Sequence, residues 1–208
     1  MTRVLVVGAG GHAKVCIESL VDAGHTVVGA VSREGVPVEG FPVPVLGTDA
    51  DVAAVAAAHG ADAVFVAVGD NASRAAVRRK CVAAGLVEVT AVSRFALVSG
   101  SAELEGGAAV MAGAVVNAST RVGAGAIVNS RASVDHDCVV GADAHVAPGA
   151  VIAGGVRIGA GALVGVGAKV LPNLMVGDGA VVGGGAMVVA DVPAGATVVG
   201  VPARVVTR

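Results

Sequence analysis

Hydrophobic positions follow two different periods along this chain. Through residues 1–95, short β-branched runs alternate with stretches of helical spacing. Residues 4–7, 26–31, 63–68 and 87–92 predict strands. Residues 12–23 predict a helix closed by Gly24, and 71–84 a helix closed by Gly85. Between them, 52–58 predicts a helix capped by Asp49 and closed by Gly60. Strand and helix in alternation imply an α/β domain, a small parallel sheet with helices on its faces. Pro37, Pro42 and Pro44 mark its longest irregular stretch.

After Phe95 the period becomes six. Every sixth residue from Val98 to Val188 is Val, Ile or Leu, sixteen in all. Four residues beyond each stands Ala in eleven cases, and otherwise Thr120, Cys138, Val156, Leu174 or Val192. The remaining positions are rich in Gly, Asn, Asp, Ala and Ser. A strict hexapeptide period over about 98–193 predicts a parallel β-helix. The branched residue fills a narrow prism, and the small one sits where a full side chain would clash. Glycines permit the corners. Three hexads close one triangular coil, so residues 18 apart stack, at the ~4.8 Å spacing of hydrogen-bonded strands. The expected domains are 1–95, Rossmann-like, and 96–208, the β-helix.

Composition agrees with a thin, repetitive interior. Hydrophobic residues make up 55% of the 208, yet the only aromatics are Phe41, Phe65 and Phe95, and 32 residues are Gly. The mean hydropathy of +0.82 raises the question of a membrane. Every apolar run is broken well short of the ~20 residues a spanning helix needs. The start of the chain reads as a first strand rather than a signal peptide, so a cytosolic protein is expected. Cys16, Cys81 and Cys138 have neither paired nor metal-binding spacing. A net charge of −2 predicts no nucleic-acid affinity.

Two histidines stand in the repeat, His136 and His145. One reading is that they are surface residues. The other is chemical. Asp135 and Asp137 bracket His136, and a carboxylate beside an imidazole fixes its tautomer and stabilises its protonated form. Gly154 is 18 residues beyond His136, one coil on. A base beside a bare backbone N–H suits acyl transfer, the base activating the acceptor and the donor steadying the oxyanion. A catalytic zinc site lacks a third histidine, so no metal is expected.

Gly8-Ala9-Gly10-Gly11-His12-Ala13 follows a strand, opens a helix and fits the G-x-G-x-x-A pattern. Such loops bind phosphates through free N–H groups at the helix N-terminus. Lys14 in the first turn would pair with a diphosphate. A ligand-free βα turn is the alternative. Dinucleotide binding is disfavoured, because Ser32 and Arg33 stand where an acidic residue is expected.

Several segments together resemble the nucleotide-sugar acetyltransferases related to sialic acid O-acetyltransferases. They are the front loop continued to Val15, Val66-Ala67-Val68-Gly69-Asp70-Asn71, Asn129, Val134-Asp135-His136-Asp137-Cys138, and Gly200-Val201-Pro202-Ala203. The resemblance spans nearly the whole chain. It implies a left-handed β-helix, a homotrimer, and acetyl-CoA lying in the groove between neighbouring β-helices. It implies that His136 is the general base and Asp137 its carboxylate partner. By the same resemblance His145 and the Gly154 N–H contact the thioester region, and Val166 and Gly184 the rest of CoA. Gly10, Gly11 and His12, with Gly47, would hold the nucleotide-linked amino sugar, and Asn129 belongs to the same substrate set. Many relatives carry Asp-Asp where this chain has Ser32 and Arg33. A guanidinium cannot accept hydrogen bonds, so the nucleotide's identity stays open. The expected reaction is N-acetylation of the sugar amine. The alternatives are O-acetylation of a sugar hydroxyl and a non-catalytic, nucleotide-sensing trimer. Which of Asp135 and Asp137 orients His136 is also open.

Overall fold

The computed structural model describes residues 1–36 and 38–206; Pro37 of the expected irregular stretch, and Thr207 and Arg208 of the expected second domain, lie outside them. The chain forms two compact units, 1–94 and 95–208.

The first unit runs β1 (Arg3–Val7), α1 (Gly11–Asp22), β2 (Thr26–Ser32), β3 (Val45–Thr48), α2 (Val52–Ala58), β4 (Ala63–Val66) and α3 (Asn71–Ala83). Its four strands are parallel, in the order β3-β2-β1-β4. The central β1 and its neighbour β4 are apolar runs buried on both faces, as parallel strands between helices require. Three expectations need correction. β3 lies in what reads as irregular chain. Its short sequence carries little pattern, and it is a strand because it pairs with the open side of β2, Ala30 with Val45 and Ser32 with Thr48. The run 87–92 is mostly not strand. Only a single bridge, Val64 to Glu88, and the pair Ala91–Val92 form. Glu88 there turns its carboxylate onto Arg78 of α3, at 2.8 and 2.7 Å. Asp49 does not cap α2. It opens a 3-10 turn, Asp49–Asp51, and α2 has no side-chain cap. Asp70 does cap α3, accepting from Ser73 N at 2.8 Å.

The second unit is a left-handed parallel β-helix of two-residue strands. Its first face stacks Glu103–Leu104, Arg121–Val122, Val139–Val140, Arg157–Ile158 and Met175–Val176. The second holds Ala109–Val110, Ile127–Val128, His145–Val146, Leu163–Val164, Val181–Val182 and Thr197–Val199. The third holds Leu97–Val98, Val115–Val116, Ser133–Val134, Val151–Ile152, Lys169–Val170 and Met187–Val188. Partners are 18 residues apart, as in Arg121↔Val139, Ile127↔His145 and Ser133↔Val151. The second residue of each strand points inward and is buried from Val110 to Val188. Burying a branched aliphatic side chain stabilises by roughly 1.5–3 kcal/mol, so this unbroken row is the main favourable term in the unit.

The register breaks once, near the end. Val192 bridges to Val176 and Thr197 pairs with Val181, 16 residues apart (192 − 176 and 197 − 181) rather than 18. The hexad count puts Val192 in a small-residue position. The last coil is two residues short, so Val192 bridges to an inward valine and is itself buried. Arg204–Val205 then pairs antiparallel with Thr197–Val199 and covers that edge of the second face.

Close stacking of the corners yields a test. A Cβ on Gly141 would stand 2.6 Å from the backbone nitrogen of Ala160 and 2.7 Å from the carbonyl carbon of Gly159. Gly141→Ala should therefore cost about 1–3 kcal/mol in urea unfolding. An unchanged midpoint would show that the coils can part at no cost.

Candidate active site

His136 sits on the corner between the third and first faces, between Ser133–Val134 and Val139–Val140. Most corners have glycine at the residue with positive φ. Here Asp137 takes it, with φ of 59°. Aspartate is among the few side chains that tolerate this left-handed conformation. Asp137 Oδ2 lies 2.7 Å from His136 Nδ1. Asp135 faces elsewhere: its Oδ1 accepts from Asn117 Nδ2 at 2.9 Å and from the His136 backbone N–H at 2.8 Å. Asp137 thus touches the ring, and Asp135 holds the backbone.

The hydrogen bond from Asp137, and then the charge of Asp135, raise the His136 pKa above the ordinary histidine value. The Asn117 hydrogen bond, and then that from the His136 N–H, lower the pKa of Asp135. With Nδ1–H donating to Asp137 Oδ2, Nε2 is left as a base on an exposed ring. The ring lies over Gly154, where a Cβ would come within 2.8 Å of both Cε1 and Nε2. The Gly154 N–H has no partner among the described residues. A base and an open N–H donor therefore meet at one corner.

The remaining nominated residues of this unit lie elsewhere on the prism. Asn129 Nδ2 is 2.9 Å from His145 Nε2, and Asn129 Oδ1 accepts the Ser130 N–H at 2.8 Å. With the amide as donor, His145 Nε2 is the acceptor. Val166 is exposed, and the Gly185 N–H binds its carbonyl at 2.8 Å, with Gly184 alongside. His145 projects from the second face; Asn129, Val166 and Gly184 lie on the corner between the second and third faces. The corner that carries His136 is opposite the second face. His145 follows His136 by nine residues, half a coil, and half a coil crosses the prism.

In the first unit, Gly10, Ser32 and Arg33 border one cavity of about 320 Å³. Arg33 also borders a second, of about 570 Å³, with Asp49, Asp51 and Lys80. A Cβ on Gly10 or Gly11 would meet open space, whereas one on Gly8 would lie 2.7 Å from the Ala67 carbonyl oxygen. Gly8 is thus needed for strand packing, and the next two glycines leave the helix N-terminus uncovered. His12 is held below the ordinary histidine pKa by burial and then by Arg74, and its Nε2 lies 3.4 Å from the buried Cys16 Sγ. Lys14 Nζ donates to the Glu39 carbonyl at 2.5 Å, and Ser32 Oγ to that of Val36 at 3.2 Å. Gly47 lies in β3.

Residues beyond those nominated also build these sites. Buried Arg74 donates to the carbonyls of Val68 and Gly69 and to Asn71 Oδ1, bracing the loop after β4. Asn117 and Thr120 support the His136 corner from one coil below. Asn117 was reachable by counting 18 back from Asp135, and Thr120 and Cys138 stand out as exceptions to the alanine pattern. Among the described residues, no group of three or more His, Cys, Asp or Glu is placed to hold a metal ion, and no helix is long and apolar enough to cross a membrane.

Comparison with known proteins gives this arrangement its class. Residues 3–81 match the family model described as the PglD N-terminal domain. Over its whole length the chain superposes on a crystal structure of a GDP-perosamine N-acetyltransferase from Caulobacter crescentus, in complex with CoA and GDP-perosamine. The identity is 41%, the TM-score 0.93, and 98% of that chain is covered. The acetyltransferase domain of PglB from Neisseria gonorrhoeae, in complex with acetyl coenzyme A, is 38% identical with a TM-score of 0.89, and 99% of each chain is covered. WeeI from Acinetobacter baumannii is 27% identical with a TM-score of 0.84, covering 99% of this chain and 100% of its own. No curated protein sequence matches significantly. The chain belongs to the hexapeptide-repeat nucleotide-sugar N-acetyltransferases and is an acetyltransferase.

Two outcomes are expected at this corner. A base must be deprotonated, so activity should fall as pH drops through the raised His136 pKa. Asp137→Asn removes the largest cause of that rise, so the acid limb of kcat/KM should move to lower pH while the maximal rate falls. An unmoved limb would assign the titration to another group. Gly154→Ala should displace the exposed ring and cut kcat by on the order of 10²-fold with little change in Tm. Unimpaired kcat would separate Gly154 from the reaction.

Proposed function

We propose that this enzyme transfers the acetyl group of acetyl-CoA to the amino group of a nucleotide-linked amino-deoxy sugar, with His136 as general base. The observation that carries this reading is the His136–Asp137 pair over Gly154, with an open Nε2 and an open N–H. The neutral sugar amine attacks the thioester carbonyl carbon and a C–N bond forms. The Gly154 N–H steadies the oxyanion, and His136 Nε2 takes the amine proton. The C–S bond then breaks, and the proton passes from His136 to the leaving CoA thiolate. Asp137 stabilises the imidazolium between these steps. Gly10, Gly11, His12, Lys14, Ser32, Arg33 and Gly47 bind the nucleotide-sugar, with Asn129 in the same set. His145, Val166 and Gly184 bind acetyl-CoA. The relative crystallised with CoA and GDP-perosamine supports the two classes of ligand. The three free, buried cysteines fit a reducing, cytoplasmic location.

Because His136 and His145 lie on opposite sides of the prism, a site using both draws them from two chains. This supports a homotrimer in which the His136 corner of one β-helix lies against the second face of the next.

Acetyl-CoA and GDP-perosamine serve as assay substrates, with other nucleotide-linked amino sugars and sugar hydroxyls as competitors. Acetylation of an amine should dominate, and His136→Ala should lower kcat by ~10²–10⁴-fold with the oligomer intact. Wild-type kinetics in His136→Ala, or preference for a hydroxyl, would overturn the assignment. Co-expressed His136→Ala and His145→Ala chains should recover activity that neither has alone. No recovery would place the two histidines in separate roles.

A further inference from the structure

One corner of the β-helix departs from the alanine rule, and it is the corner that carries His136. Thr120, Cys138, Val156 and Leu174 are successive at 18-residue spacing and stand in one column. At the other two corners the alanine N–H closes a tight turn onto the carbonyl three residues back. Examples are Ala126 to Gly123 at 3.0 Å, Ala132 to Asn129 at 2.9 Å, and Ala144 to Gly141 and Ala150 to Ala147 at 3.1 Å. The turn 135–138 closes differently. The hydroxyl of Thr120, fully buried one coil below, stands inside it. Thr120 Oγ1 donates to the Asp135 carbonyl at 2.6 Å and accepts the Cys138 N–H at 3.2 Å. One coil on, buried Cys138 repeats the arrangement in turn 153–156. Its Sγ donates to the Ala153 carbonyl at 3.2 Å, with the His136 carbonyl at 3.6 Å, and the Gly155 N–H bonds to that His136 carbonyl at 2.9 Å. Burial raises the thiol pKa and keeps it a protonated donor.

Peptide planarity turns these buried bonds into control of the surface. In a trans peptide the C=O and N–H point in opposite directions. Thr120 draws the Asp135 carbonyl inward, so the His136 N–H faces outward, where Asp135 Oδ1 takes it at 2.8 Å. Cys138 draws the Ala153 carbonyl inward, so the Gly154 N–H faces outward too. Residue 153 is alanine and has no side-chain acceptor, so that N–H stays open. We propose that Thr120 and Cys138 are positioning residues for acyl transfer, Thr120 setting the peptide that bears His136 and Cys138 aiming the Gly154 N–H at the same place. This rests on the reading of His136 as the base.

The test compares Thr120→Val, Thr120→Ser, Cys138→Ala and Cys138→Ser in the full chain, with acetyl-CoA and GDP-perosamine. Val156 and Leu174 show that this column takes apolar side chains, so Thr120→Val is expected to fold. Thr120→Val and Cys138→Ala should lower kcat by about 10–100-fold at near-constant KM for acetyl-CoA. Each serine variant restores a donor and should stay near wild type. Thr120→Val should also move the acid limb of kcat/KM to lower pH, as the ring loses its register with Asp137. A purely structural role predicts lower Tm in these variants but unchanged kcat per folded enzyme and an unmoved pH limb. That result would overturn the proposal. If Thr120→Val does not fold, the Cys138→Ala and Cys138→Ser pair decides. His136→Ala measured alongside separates the two ideas. Full activity there sinks the base assignment, whereas its loss beside unaffected Thr120 and Cys138 variants sinks only the positioning role.

Discussion

The 18-residue ladder is the constraint on which the second unit depends. Each two-residue strand is too short to persist alone, and it survives because strands one coil below and one coil above satisfy its backbone groups. The inward Val, Ile and Leu keep that stacking in register, since slipping by one residue would turn every buried side chain outward. A corner residue therefore has a determined neighbour one coil away. The approach of His136 to Gly154 follows from that rule, as does the reach of Asn117 to Asp135.

The same constraint shapes the chemistry. Tight corners built on alanine have no room for side-chain donors, and their turns close on themselves. The His136 corner is built with hydroxyl and thiol groups in its interior, and these take up carbonyls that an alanine corner would bind through its own backbone. Asp137 adopts a left-handed conformation that glycine would take more readily, and in return its carboxylate reaches His136 Nδ1. Buried hydroxyl and thiol groups thus lie beneath the corner where a base and an N–H donor meet.

The first unit shows a different division of labour around its glycine loop. Gly8 is required by the close approach of β4, whereas Gly10 and Gly11 face open space. Arg74, buried in the first half of α3, organises the facing loop through the carbonyls of Val68 and Gly69 and through Asn71 Oδ1. His12, lowered in pKa by burial and by Arg74, presents a neutral ring at neutral pH.

How far all this was legible varied with the kind of interaction. The hexad period by itself determined the β-helix, its inward rows and the meeting of His136 with Gly154, because repetition at constant pitch is geometry written along the chain. Helix α2 and most of the first sheet were also readable from apolar spacing. β3 was not, since an edge strand takes its shape from the partner it finds. The two-residue shortening of the last coil was also hidden, because Val192 suits either register. Only the tertiary structure decided between Asp135 and Asp137, for both flank His136 and differ in which way the corner turns them. It alone revealed that Thr120 and Cys138 enter the turns beneath the site, because sequence shows which residues break a pattern, while three-dimensional packing decides what their polar atoms touch.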